Sequence, residues 1–163
     1  YHTFLFVLAN QLISRPPREP EKLVAFVRSR RRDDGGFVEI GPMRKSGTNP
    51  TAAAAGLLTI ADAFDDELRE GVVGFLSEMQ TDEGGLKANT RIPLADLLST
   101  FTGLLTLADL GEIDEIDDRT ARQYVASLAA EGGGFYAGAW DTAADVEYTF
   151  YGLGALALLA RDG

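Results

Sequence analysis

Phe75-Leu76-Ser77-Glu78-Met79-Gln80-Thr81-Asp82-Glu83-Gly84-Gly85-Leu86 is the stretch on which the fold of this chain turns. It closes an amphipathic run and ends in a double glycine, and the same elements recur on both sides of it. Gly35-Gly36-Phe37, Gly84-Gly85-Leu86 and Gly133-Gly134-Phe135 stand 49 residues apart, as do Phe26, Phe75 and Tyr124 upstream of them. Downstream, Thr100-Phe101-Thr102-Gly103-Leu104 matches Thr149-Phe150-Tyr151-Gly152-Leu153 at the same interval. The Gly56-Leu57 pair lies 47 residues before Gly103-Leu104, which implies a loop two residues longer in the first copy. Tyr1-His2-Thr3-Phe4 reads as a partial further copy. A fixed period of this length marks stacked repeats, each burying its apolar face on its neighbours.

Each unit holds two helices of unlike character. Asp66 to Gln80 carries five charges, with Leu68, Val72, Phe75, Leu76 and Met79 on one face, the pattern of a helix with one side in water. Residues 52–61, 97–108 and 148–160 carry no charge, and a helix apolar all round must be covered or line an apolar cavity. Alternation of the two kinds builds two layers of helices. Asn49-Pro50 reads as an N-cap with an N1 proline, and Ile92-Pro93 as another helix start. The double glycines fall where left-handed residues end helices. The expectation is an all-α fold of seven helices, at about 1–14, 20–32, 50–63, 66–80, 93–110, 117–130 and 144–161. One α/α repeat domain spans 1–163, in units of about 1–49, 50–92, 93–143 and 144–163.

Composition narrows the function. The 163 residues carry 25 acidic and 15 basic side chains, a net charge of −10, which argues against nucleic-acid binding, where phosphates must be neutralised. The absence of cysteine removes disulfides, thiolate catalysis and thiolate-held zinc, and a single histidine limits acid–base chemistry. The longest uncharged run, 148–160, is short of the roughly 18–20 residues a membrane span requires. Tyr1 opens inside a helical stretch with neither a basic leader nor a cleavage site, so the chain reads as a segment of something longer and its N-terminus does not report location; a cytoplasmic location is the expectation.

The stretch from Phe75 to Leu86 resembles the aromatic–aliphatic–x3–Gln–x3–Gly–x–aromatic motif of the squalene cyclase and protein prenyltransferase repeat, with Leu86 in the last aromatic place. Arg31 and Ala129 stand where the flanking copies would carry Gln. Asp145-Val146-Glu147-Tyr148, opening the last apolar helix, is similar to the β-subunit-like prenyltransferases, bacterial members included. The resemblance implies an α/α toroid, in which inner helices surround an apolar cavity and outer helices face solvent. About seven helices form a partial ring, so its open edges call for a missing half of the toroid or a homo-oligomer.

It implies sites as well. In that family an Asp and a Cys opening one inner helix, and a His opening another, hold zinc. Asp145 matches the Asp, Glu147 stands in the Cys position, Tyr148 follows as in the motif, and His2 of Tyr1-His2-Thr3 matches the His. Oxygen and nitrogen donors of these kinds suit tetrahedral zinc. The plainer reading has Thr142 capping the helix, with Asp145 in its first turn and His2 an ordinary side chain. The family's Arg and Lys ahead of the Asp are replaced by Ala139 and Thr142. Arg44, Lys45 and Arg91 offer cations in the matching loops of earlier repeats, where they would hold a diphosphate or be solvated. Arg28 to Arg32 closes an outer helix, where cations complement the dipole. Glu115-Ile116-Asp117-Asp118 superficially resembles the acid motif of terpene cyclases but falls at an outer-helix start, where an acidic cap accounts for it. Phe101, Phe150 and Tyr151 would line an isoprenoid cavity or serve as packing. The resulting expectation is a transferase-like domain binding an isoprenoid or its diphosphate; the alternative is a non-catalytic binding or protein-interaction scaffold.

Overall fold

The computed structural model describes residues 2–160; Tyr1 lies outside them. The helices run α1 (His2–Leu12), α2 (Pro20–Arg28), α3 (Thr48–Ile60), α4 (Asp66–Ser77), α5 (Leu97–Asp109), α6 (Asp118–Ser127) and α7 (Val146–Leu159), with a 3₁₀ turn at Ile113–Glu115. Among the described residues there are isolated β-bridges but no strand. No helix among them is long and apolar enough to cross a membrane.

Two layers form because the two helix types have different faces to bury. The inner helices α1, α3, α5 and α7 pack in sequence along an arc, α3 on α1, α5 on α3 and α7 on α5. Outside them, α2 packs on α3, α4 against both α3 and α5, and α6 on α7. In α4 the residues Leu68, Val72, Phe75 and Leu76 are buried, as the amphipathic pattern requires. The core lies between the layers, where Leu58, Leu76, Leu97, Leu104 and Leu107 are fully enclosed.

The N-caps correct the expected starts and register. α3 is capped by Gly47, α5 by Asp96 and α7 by Asp145, each 49 residues after the last. Pro50 therefore sits within the first turn of α3 rather than at its first position, and Pro93 lies in the loop before α5. Thr51 and Thr100 keep the same interval: Phe37 N donates to Thr51 Oγ1 and Leu86 N to Thr100 Oγ1, both at 2.9 Å. The first copy thus has no longer loop, and Ala54 rather than Gly56 holds the place of Gly103. A repeat of Gly-Leu on a helix rich in small residues misled the alignment, whereas the buried hydroxyls carry the true period. Thr100 also donates to Asp96 O at 2.7 Å and is fully buried. Thr100→Val should leave the Leu86 N–H unpaired and cost ~2 kcal/mol by urea denaturation.

Gln80 explains why its place in the motif matters. Its Nε2 donates to Gly84 O and Asp117 O, and its Oε1 accepts from Asp117 N, all at 3.0 Å. One amide thus joins its own turn to the N-cap of the next outer helix. Arg31, at the same repeat position, does the same work differently: its guanidinium reaches Glu67 Oε1 at 2.6 Å, at the start of α4. Gln80→Ala should lower stability by ~1–2 kcal/mol, read as a lower thermal midpoint. Asp65 and Asp117 cap α4 and α6, accepting from Leu68 N and Thr120 N at 3.0 Å. The acidic stretch at Glu115–Asp118 is therefore an outer-helix cap, as its position in the period suggests.

Both ends of the arc expose apolar side chains. On α7, Val146 is 87% exposed, Phe150 63% and Leu153 59%, at a spacing that puts them on one face. On and just after α1, Phe6, Leu12 and Ile13 are likewise exposed.

Candidate functional site

The concave side of the arc encloses a cavity of about 890 Å³. Each inner helix presents a stripe to it at helical spacing: Phe4, Leu8 and Gln11 from α1, and Leu98, Thr102, Leu105 and Asp109 from α5. From α3 come Asn49, Ala52, Gly56 and Thr59, and from α7 Glu147 and Tyr151. Alanine and glycine on α3 leave the space that larger residues would fill, and Phe4 packs over Gly56 to close one seam. The volume lies within the range of small-molecule sites.

The cavity has two chemically different ends. The inner helices start at one rim, where Thr102 Oγ1 donates to Asn49 Oδ1 at 2.6 Å, tying the first turn of α3 to the second turn of α5. Leu97 N donates to Ala137 O at 2.8 Å, which brings the loop before α7 to the same rim. Tyr151 Oη donates to Glu147 Oε1 at 2.8 Å there. At the other rim, Asp62 and Asp109 stand at the ends of α3 and α5 beside Leu110 and Phe64. Partial desolvation raises the pKa of Asp109 above the ordinary carboxylate value.

The structure separates the residues expected to act together. Asp145 is the N-cap itself, its carboxylate accepting from Tyr148 N at 2.8 Å, so Thr142 does not cap the helix. Glu147 is engaged with Tyr151, and His2 lies on α1, with α3 and α5 between that helix and α7. Among the described residues, no three His, Asp or Glu side chains come together as a metal group. His2 thus lies on the helix at one end of the arc and Asp145 and Glu147 at the start of the helix at the other, each carboxylate accepting a hydrogen bond from its own helix. Tyr148 is partly buried, its ring 5.9 Å from that of Tyr151. Burial, then the carboxylates of Asp96, Glu147, Asp145 and Asp141, raise the pKa of its phenol, which favours the protonated form.

Phe101, Phe150 and Tyr151 do come together. Phe101 stacks on Tyr151 at 5.4 Å and meets Phe150 edge-on at 5.5 Å. Of the three, only Tyr151 lines the cavity; Phe101 lies over Gly154 in the α5–α7 seam, and Phe150 belongs to the exposed stripe of α7. Arg44, Lys45 and Arg91 are exposed in the loops before α3 and α5 and are not among the cavity-lining residues, which include no Lys, Arg or His. Sequence reasoning passed over Ala52, Asn49, Thr102, Leu105, Asp62 and Asp109. The i, i+4, i+7 stripe on α5 was the signal that could have found those on that helix.

The chain matches the model of the prenyltransferase alpha-alpha toroid domain over residues 2–163. In structure it is similar to Candida albicans protein geranylgeranyltransferase-I, described in complex with GGPP, with a TM-score of 0.84 at 20% identity. The match covers 95% of this chain and 47% of that one, so the chain spans about half the length of that structure. A likeness at this identity carries the fold alone. A comparison with curated protein sequences finds no match. Repeat, layered arc and matched domain agree, and the chain belongs to the prenyltransferase alpha-alpha toroid family.

Proposed function

We propose that this chain binds the hydrocarbon of an isoprenyl diphosphate in its concave cavity, as part of a prenyl-transferring enzyme. The observation that carries this reading is the apolar cavity of about 890 Å³ along four inner helices, in a fold shared with a protein whose description includes GGPP. An extended isoprenoid would lie along Leu98, Leu105 and Leu8, against the face of Tyr151. Phe101 and Phe150 would hold that tyrosine ring in place. The diphosphate would stand at the rim where the inner helices begin, since helix N-termini favour anions, with Arg44, Lys45 and Arg91 reaching it from their loops.

In transfer, the acceptor nucleophile attacks C1 of the chain and the C1–O bond breaks, its electron pair leaving with the diphosphate. The acceptor's proton passes to Glu147, whose carboxylate lines the cavity and already receives the hydrogen bond from Tyr151. Asp145 acts as a positioning residue, fixing the first turn that carries Glu147. No step runs through zinc.

A second reading, a non-catalytic binding or interaction scaffold, is favoured by one observation: no cation lines the cavity. Equilibrium dialysis with geranylgeranyl diphosphate tests the first. Micromolar binding, retained by the alcohol at lower affinity, is expected; no binding of either would leave the scaffold.

A further inference from the structure

We infer that two copies of this chain close head to tail into one ring, α6 and α7 of one copy receiving α2 and α3 of the other. In that ring α7 of each copy takes the seat that α1 holds on α3. The inference is independent of the hydrocarbon-binding reading. It rests on a socket that the repeat fills twice within the chain and leaves open a third time.

Each later outer helix is seated on the double glycine of the unit before it. A Cβ on Gly35 would strike the backbone of Gly71, and one on Gly84 the backbone of Thr120, while the rings of Phe75 and Tyr124 cover Gly36 and Gly85. Gly133 shares the left-handed φ of Gly35 and Gly84, yet no atom lies within 4 Å of its would-be Cβ, and no ring covers Gly134. One period before Gly71 and Phe75 stand Lys22 and Phe26, on α2. Phe26 is 43% exposed, against 2% for Phe75 and 5% for Tyr124. Plug and socket thus stand free at opposite ends of the same arc.

The inner helices give the same register. Leu97 and Leu104 are fully enclosed, whereas their translates Val146 and Leu153 are exposed. Phe101 of α5 lies over Gly154 of α7, and Phe4 of α1 over Gly56 of α3, two periods earlier. Phe150 is the translate of Phe101 and is exposed, so α7 of a second copy would set its Phe150 over Gly56. α1 holds that seat lightly: Val7 is its one buried residue, and Arg15-Pro16-Pro17-Arg18-Glu19-Pro20 tethers it to α2. A proline tether has few backbone hydrogen bonds to lose, so α1 can leave without unwinding α2. The chain covers 47% of the geranylgeranyltransferase-I chain, so two copies supply nearly its whole length. A head-to-tail contact closes when the copies complete the turn, here after two.

Sedimentation velocity of the full chain tests the ring. Since α1 must be displaced and each copy carries a net charge of −10, the dimer should be half formed only on the order of 100 µM, and should strengthen in about 0.5 M salt. Low-micromolar samples remain single arcs, in which Gly133→Ala costs only its backbone share. At high concentration Gly133→Ala and Phe26→Asp should each weaken the dimer at least about tenfold. Gly111→Ala is the control, since Gly111 has φ +73° and no atom near its would-be Cβ but lies in the turn after α5, in the middle of the arc. It should keep the dimer. Val7→Asp, which unseats α1, should tighten association about tenfold. A monomer at every concentration up to about five times that midpoint, a dimer untouched by both Gly133→Ala and Phe26→Asp, or open assemblies longer than two would overturn the inference. So would a folded Val7→Asp variant that associates no more tightly.

Discussion

Gly84→Ala is expected to destabilise the chain by ~3 kcal/mol, combining a left-handed backbone penalty of roughly 1–2 kcal/mol with overpacking. Gly84 has φ +100°, and a Cβ there would stand 2.2 Å from Thr120 O and 2.3 Å from Thr120 C. Both atoms belong to the backbone of α6, which is held by Gln80 at its cap and by Tyr124 over the next glycine, so neither can yield cheaply. The matched control lies one repeat later. Gly133 has φ +94° but no atom within 4 Å of its would-be Cβ, so Gly133→Ala should cost only ~1 kcal/mol, the backbone share. Urea denaturation of both variants separates strain from packing, and a common slope would confirm that the same surface unfolds. Equal losses would mean that the turn after α4 does not carry the contact between successive outer helices.

The largest functional effect is expected at Ala52. It lines the cavity from α3 and is only half buried, so an indole there would project into open space rather than into the core. Ala52→Trp should weaken isoprenoid binding about a hundredfold, since excluding roughly 100 Å² of apolar contact removes ~2.5 kcal/mol. Thermal stability should barely change. Val146→Trp is the comparison, because that position is exposed on the outward stripe of α7 and does not line the cavity. It should leave binding intact.

The fold was legible because its signals are redundant. Double glycines, outer-helix aromatics and charge-free inner helices all repeat at one interval, and each follows from a physical need of a two-layer array. The helix starts were less legible. Asn49-Pro50 is a good cap signal, yet the true cap is Gly47, because the bridges from Phe37 and to Asn89 hold Gly47 extended before the helix begins. Local propensity yielded to a contact made across the repeat.

The candidate site was read through family motifs, and that route led to Asp145, Glu147 and His2. A motif records which residues sit at a helix start, not which helix stands opposite. Asp145 meets its own helix backbone, and His2 lies at the far end of the arc. Tyr151 was found, together with Phe101 and Phe150, as an aromatic on a charge-free inner helix, and of the three it alone lines the cavity. Ala52 and Gly56 escaped notice because a cavity is made by what small residues leave out, and an alanine has no chemical signature of its own. Asp62 and Asp109 were missed because each looks like an ordinary helix-end acid until α3 and α5 are placed side by side.

The central claim is that the concave face of the inner helices, and not the exposed apolar stripe at the end of the arc, is the hydrocarbon site. Photolabelling with a diazirine-bearing isoprenyl diphosphate, followed by peptide mass spectrometry, tests this directly. Adducts are expected on Ala52, Leu98 and Leu105, and they should disappear with excess unlabelled ligand. Labelling confined to Val146, Phe150 and Leu153 would contradict the claim and assign the apolar chemistry of this domain to its edge.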